Sequence, residues 1–259
     1  MDTDKPKWDE SPWWKSKQDV SRACRVIFDL QLGGEGNLFS RYMDLLRVIF
    51  DDPILQRIST PSQKVALAMA GQAYQSLISV WQELSEGRLA SASAHWRSLA
   101  EAPDYIMASA LNEEHARSWA DPERRETLSV AKAQAIVKRA MNEMGKGLGD
   151  KWLEQRRDDL QGLSAFSHVS SEIAGFAVLR VSSAKGYFVT PEGRYADDIK
   201  AASIYAVLLA RDVVGACAIA FKGALPDEWQ NEAGKWFREG LSELTREYGK
   251  TYGTVSAEQ

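Results

Sequence analysis

The chain is poor in cysteine and histidine. Its 259 residues contain two cysteines, Cys24 and Cys217, and three histidines. Two thiols so far apart in sequence fit neither a metal-ligand spacing nor a disulfide framework, and they favour a reduced, cytoplasmic setting. Motifs for a phosphate loop, a dinucleotide site, a zinc protease or a serine hydrolase are also missing. We therefore expect no metal and no cofactor.

A long apolar run free of charge is also missing. Residues 201–221, AASIYAVLLARDVVGACAIAF, approach the length of a membrane span. However, Arg211 and Asp212 stand at the centre of this run, where each would be costly in lipid. Residues 1–17 contain no apolar stretch after a basic one, so we expect no secretory signal peptide. The sequence predicts a buried core helix at 201–221 and no contact with a membrane.

Helix signals dominate what is present. Thr60 is suited to the N-cap of a helix, Pro61 to its first position and Gln63 to the capping-box position. Apolar residues then recur at steps of three and four up to Leu84, and Gly87 ends the pattern. The next apolar stripe begins almost at once, so we expect an antiparallel helical hairpin.

These patterns predict a single all-α domain over residues 18–250, a helical bundle of about seven to eight helices. We interpret residues 1–17 as an extended arm and residues 251–259 as a loose tail. Residues 181–195 differ from the helical pattern around them, because β-branched and aromatic residues there flank one Lys-Gly pair and one Glu-Gly pair. A small β-hairpin or irregular flap is predicted for that stretch.

A segment of small and apolar residues carries His168. On a helix over 163–180, His168 shares one row with Ser164 and Glu172. Glu172 lies one turn further on and could orient the imidazole and favour its protonated form. This is a plausible acid/base environment for catalysis. The alternative is that His168 bonds a serine or a backbone carbonyl inside a helix contact.

A second polar row combines Arg97, Glu101 and Asp104 in a helix otherwise rich in alanine and apolar residues. Buried charges need partners, so we expect a buried cluster of His168, Arg97, Glu101 and either Arg211 or Asp212. Such a cluster could be a catalytic site, or it could only fix helix register. His115, in a charged stretch after this row, is interpreted as part of a solvated helix end.

Three tryptophans, Trp8, Trp13 and Trp14, lie in the arm. They could belong to a floppy terminus, or they could dock on the body or on a partner protein, since exposed tryptophans favour burial. The net charge of −4 predicts no general attraction to nucleic acid, although a local basic patch would allow RNA binding.

Two short motifs support a family resemblance over residues 60–222. HWRSLAEAPDYI resembles the RSLxE helix of uncharacterised bacterial all-helical proteins, and Leu163 to His168 resembles their LSxFSH pattern. That group is similar to the HEPN (higher eukaryotes and prokaryotes nucleotide-binding) superfamily. The resemblance implies a HEPN-like fold, a role in anti-phage defence or toxin–antitoxin loci, and oligomerisation. In active members arginine and histidine cut RNA without a metal.

The resemblance leaves two functions open. In the first, the protein acts on RNA or nucleotide, with His168 moving a proton, Arg97 holding phosphate, and Ser164, Glu101 and Glu172 orienting them. In the second, it is a non-catalytic helical interaction module, a subunit of a larger assembly. The HEPN nuclease motif, arginine followed by a polar residue and histidine a few positions later, is absent around His168. Enzymatic activity is therefore left open.

Overall fold

The computed structural model describes residues 18, 21–22, 24–26, 28–29, 32, 34–120, 123, 129–154, 156–157 and 196–252. Within these ranges the regular structure is entirely helical, which confirms the predicted all-α class. The helices are α1 (Gly34–Val48), α2 (Asp52–Leu55), α3 (Pro61–Ser85), α4 (Leu89–Leu111), α5 (Glu113–Ala120), α6 (Val130–Met144), α7 (Ala196–Ala220) and α8 (Asp227–Tyr252). Residues 18, 21–22, 24–26, 28–29, 148–154 and 156–157 are also helical.

The predicted start of α3 is confirmed in atomic detail. The Thr60 Oγ1 atom accepts a hydrogen bond from the Gln63 amide at 3.2 Å, and Pro61 occupies the first turn, where its missing N–H costs nothing. At the other end Gly87 has φ 76°, a left-handed conformation that glycine adopts without strain. Helix α4 starts at Leu89 and packs along α3, so the two form the expected hairpin.

Helix α1 begins inside a glycine-rich stretch. The sequence GGEGN has a low helix propensity, yet the helix starts at Gly34. Glu35 lies in the first turn, where a carboxylate complements the helix dipole, and it is buried. Gly36 lies against the Leu32 side chain, whose Cδ1 atom would be 3.4 Å from an added Cβ. Burial against neighbouring residues offsets the low helix propensity of the glycines.

Helix α7 lies at the centre of the core. It packs against α1, α3, α4 and α8, and its buried side chains include Val207, Val213, Val214 and Cys217. Within the described ranges it alone has the length and composition to cross a membrane, over Ala202–Ala220, and 67% of that window is buried inside the protein. Its apolar character is explained by contact with other helices on several sides.

Helix α8 is fixed to α1 by two long-range hydrogen bonds. The Trp229 Nε1 atom donates to the Leu45 carbonyl at 2.9 Å, and the Tyr42 hydroxyl donates to the Trp236 carbonyl at 2.9 Å. Because each bond uses an aromatic ring that is also packed in the core, the two helices are held in one register. Helix α8 continues to Tyr252, so residues 251 and 252 of the predicted tail are helical.

Several predicted features lie outside the described residues. They are the arm of residues 1–17 with Trp8, Trp13 and Trp14, the flap at 181–195, and the tail beyond Tyr252. The segment with Ser164, His168 and Glu172 also lies outside. These remain predictions.

Candidate functional site

Arg97 and Glu101 form an ion pair on the outer side of α4. The Arg97 Nε atom lies 3.0 Å from Glu101 Oε1, and the two side chains are 52% and 19% exposed. This i, i+4 pair contributes a few tenths of a kcal/mol. Since Ser164, His168 and Glu172 lie outside the described residues, whether they approach Arg97 stays a prediction.

One turn further along α4, Asp104 is completely buried. Its two carboxylate oxygens have different partners on different elements. Oδ1 accepts from Arg156 Nε at 3.0 Å, and Oδ2 accepts from Gln134 Nε2 at 3.0 Å. Gln134 belongs to α6, and Arg156 belongs to the helical residues 148–154 and 156–157. A single carboxylate therefore joins three helical elements inside the protein.

Arg156 extends this network to α7. Its Nη1 atom lies 3.5 Å from Asp212 Oδ2, and its Nη2 atom donates to the Ala100 carbonyl. Asp212 also accepts two hydrogen bonds from Arg211, at 3.0 and 2.8 Å. We call Asp104, Gln134, Arg156, Arg211 and Asp212 the buried ion network.

Burial controls the electrostatics of Asp104. Desolvation raises the pKa of its carboxyl group, and the Arg156 charge and the hydrogen bonds from Gln134 and Arg156 partly offset that effect. The nearby Tyr105 phenol also has a raised pKa, first because of burial and then because of the neighbouring carboxylates Glu101 and Asp104. For Asp104, which is completely buried, the raised pKa indicates an environment with little access to water.

The sequence predicted part of this network. It indicated that the charges at the centre of the most apolar helix must find partners inside the protein, and Arg211 and Asp212 do so. It also placed Asp104 in a polar row of α4. Gln134 and Arg156 were not foreseen. The available signal for Arg156 was weak, because it lies in the polar run EQRRDD, where the adjacent Arg157 is exposed.

The prediction that His115 belongs to a solvated helix end was wrong. Asn112 interrupts the helical path, and its Oδ1 atom accepts from the His115 amide at 3.0 Å, which starts the separate helix α5. Helix α5 then packs on α3 and α4, and His115 is 8% exposed. Its Nε2 atom has no hydrogen-bond partner among the described residues. Burial lowers the pKa of its imidazole.

The turn between α6 and the following helical residues is closed by side chains. The glycine-rich stretch MGKGLGD ends α6, with Gly147 at φ 79°. The Asn142 Oδ1 atom accepts from the Gly149 amide at 2.9 Å, and Lys138 Nζ lies 2.6 Å from Asp150 Oδ1. This turn precedes the helical residues 148–154 and 156–157, which include Arg156.

The chemical capacity of the buried ion network is limited by its burial. A general acid or base must come within hydrogen-bond distance of a substrate atom, and the side chains of Asp104 and Arg156 are 0% and 7% exposed. In the described ranges no group of three or more metal-ligating side chains occurs. The buried pair of Asp104 and Arg156 is suited to holding helices together.

Comparison with known proteins gives no relative. The chain matches no protein-family model, no curated protein and no solved structure. The resemblance to HEPN proteins therefore stays a prediction.

Proposed function

We propose that the protein is a non-catalytic helical interaction module, a subunit of a larger assembly. The observation that carries this proposal is the pairing of the core charges with one another. Asp104, Arg156 and Asp212 are each within 3.5 Å of an opposite charge and are 20% exposed or less. These three charged groups thus stabilise the arrangement of the helices.

The buried ion network is well suited to fixing the register of the helices. Asp104 bonds Gln134 of α6 and Arg156, and Arg156 also bonds α4 and approaches α7. A helix that slid by one turn would leave charges unpaired in an apolar surrounding, at a cost far above that of a misplaced leucine. A module that presents surfaces to partners benefits from such rigidity, because less entropy is lost on binding.

In this proposal the arm recruits the partner protein. Trp8, Trp13 and Trp14 supply large apolar side chains of the type that contributes most to binding at protein interfaces. The sequence resemblance to HEPN proteins suggests an anti-phage or toxin–antitoxin assembly as the context.

The second candidate is action on RNA or nucleotide at Arg97 and His168. One observation favours it. The Arg97 side chain is 52% exposed on α4, so its guanidinium could contact a phosphate after rearranging its pair with Glu101. This candidate requires His168 to lie beside Arg97, with Ser164 and Glu172 as orienting groups.

An activity assay separates the two functions. We expect the wild-type protein neither to cleave mixed-sequence single-stranded RNA nor to bind ATP or GTP. Cleavage or nucleotide binding that is lost in both His168→Ala and Arg97→Ala, with unchanged melting temperatures, would overturn the proposal and establish the second candidate. Arg157→Ala serves as the matched control, because Arg157 is an exposed arginine outside the predicted site.

A further inference from the structure

Helix α3 contains a long stretch without charge. From Val65 to Gln82 the sequence VALAMAGQAYQSLISVWQ has no acidic, basic or histidine residue, although 26% of the chain is charged. Solvent-exposed helix faces are normally polar and charged. Core packing explains the lack of charge at the buried positions of this stretch, and its exposed positions are uncharged as well.

The solvent side of this stretch is a coherent surface. Ala68, Gln72, Gln75 and Gln82 are exposed, and Ser79 is half-buried between them. At 100° per residue these five positions lie on one side of α3, and we call them the neutral face. Ile78, 38% exposed, lies at its edge.

Opposite charges stand at the two ends of the neutral face. Lys64 is exposed at the start of α3, and Glu83 follows Gln82 at its end. The Glu83 Oε2 atom is buried without a hydrogen-bond partner in the described part of the chain. Lys64 likewise forms no ion pair with another described residue. The Glu83 residue as a whole is half-buried at the end of the face, and a carboxylate without a partner in the described part of the chain favours a cation close to it.

We propose that the neutral face binds the neutral face of a second copy of this chain, with the two α3 helices antiparallel about a twofold axis. If the axis crosses α3 at the level between residues 73 and 74 along the helix, Gln72 of one copy meets Gln75 of the other. The same register sets Ala68 against Ser79 and Lys64 against Glu83. Four of the five neutral-face positions thus meet one another, and Gln82 lies opposite the start of the partner's α3, beside its Lys64.

The chemistry of the face favours a second copy over other occupants. A twofold interface must be complementary to itself, and glutamine is, because its amide both donates and accepts hydrogen bonds. Nucleic acid would require a row of lysine or arginine. A membrane surface would require a larger apolar area than Ile78 provides. Two Lys64–Glu83 pairs, one at each end, then specify the antiparallel direction.

The neutral face is a self-association surface on the helical body, separate from the arm and from the buried ion network. The proposed dimer therefore goes beyond the proposed function. The failure of one proposal leaves the other standing, because a dimer is measured without any assay of RNA cleavage or of a partner protein.

Sedimentation equilibrium of the full chain over a wide concentration range tests the dimer. A single helix pair buries less area than a standard interface, so the highest soluble concentration should be included. We expect a reversible dimer. Gln72→Lys with Gln75→Lys places two like-charge contacts at the axis and should raise the dimer dissociation constant at least about tenfold. Gln72→Lys with Gln75→Glu should preserve the dimer, because only the antiparallel register pairs Lys with Glu.

A charge exchange tests the ends of the face independently. Lys64→Glu alone and Glu83→Lys alone should each weaken the dimer, and the two together should restore it. The control for Gln72→Lys with Gln75→Lys is Asn231→Lys with Ser242→Lys. This variant also adds two lysines, at exposed positions of α8, and should leave the dimer unchanged. A wild-type chain that is monomeric at every concentration would overturn the proposal. So would a dimer that is insensitive to Gln72→Lys with Gln75→Lys, or a charge exchange that fails to restore association.

Discussion

Arg156 Nε lies 3.0 Å from Asp104 Oδ1, and the two side chains are 7% and 0% exposed. Neither charge can be solvated by bulk water, so each depends on the other and on the few hydrogen bonds around them. A buried pair of this kind contributes little compared with apolar residues of the same shape, but the removal of one partner is expensive.

Arg156→Met should therefore destabilise the protein strongly. The substitution leaves Asp104 buried without its cation, and we expect a loss of about 3–5 kcal/mol in the free energy of unfolding. Arg157→Met is the matched control, because Arg157 is exposed, and it should change stability by less than about 0.5 kcal/mol. Urea unfolding followed by circular dichroism measures both. Equal effects of the two substitutions would contradict the role of the buried ion network.

The helices could largely be predicted from the sequence because their signals are local. Thr60 and Pro61 act through bonds within one turn, so the start of α3 was predictable without knowledge of the remaining structure. The start of α1 at Gly34 was not, since tertiary contacts there offset the poor helix propensity of glycine.

The site was less predictable, because burial of a charge is decided by packing between distant segments. Arg156 and Arg157 are adjacent and chemically identical, yet one is buried against Asp104 and the other is exposed. Periodicity cannot distinguish them in a run of polar residues. For Arg211 and Asp212 burial was predictable, because apolar residues flank them on both sides and place any charge in that helix near the core.

Asp104→Asn should change how stability depends on pH. Because burial raises the pKa of Asp104 above its usual 3.8, the folded state holds the proton more tightly than the unfolded state. The contribution of this group to stability is thus full at pH values below 3.8 and is lost as the pH rises through the folded-state pKa. Asparagine has no such titration. We expect the wild type to lose unfolding free energy relative to Asp104→Asn as the pH is raised from about 4 to 7.

Denaturant unfolding at several pH values, carried out in parallel on both proteins, gives this difference directly. All other titrating groups are shared and cancel to first order. A difference that moves in favour of the wild type with rising pH would show that Arg156 and Gln134 outweigh burial at this carboxylate.

Gly149→Ala should destabilise the turn that carries Arg156. An added Cβ at this position would overlap the Lys138 carbonyl oxygen, a backbone atom of α6 that cannot rotate away. We expect a loss of about 1–3 kcal/mol, typical of steric overpacking. Gly223→Ala is the control, since a Cβ there meets nothing within 4 Å. A melting temperature that falls equally in the two variants would contradict the close approach.

His115 should make the protein sensitive to mild acid. Burial lowers the pKa of this imidazole below its usual 6.5, so the folded state favours the neutral ring. Its contribution to stability is full above pH 6.5 and is lost as the pH falls through the window between the unfolded and the folded pKa. His115→Gln keeps a polar side chain that does not titrate, and its unfolding free energy should therefore fall less than that of the wild type between about pH 7 and 5.

Denaturant unfolding at each pH measures the slopes, and an NMR titration of the His115 ring reports the pKa itself. If the two proteins lose stability in parallel over this window, His115 titrates alike in the folded and unfolded states, and its burial in α5 has no electrostatic consequence.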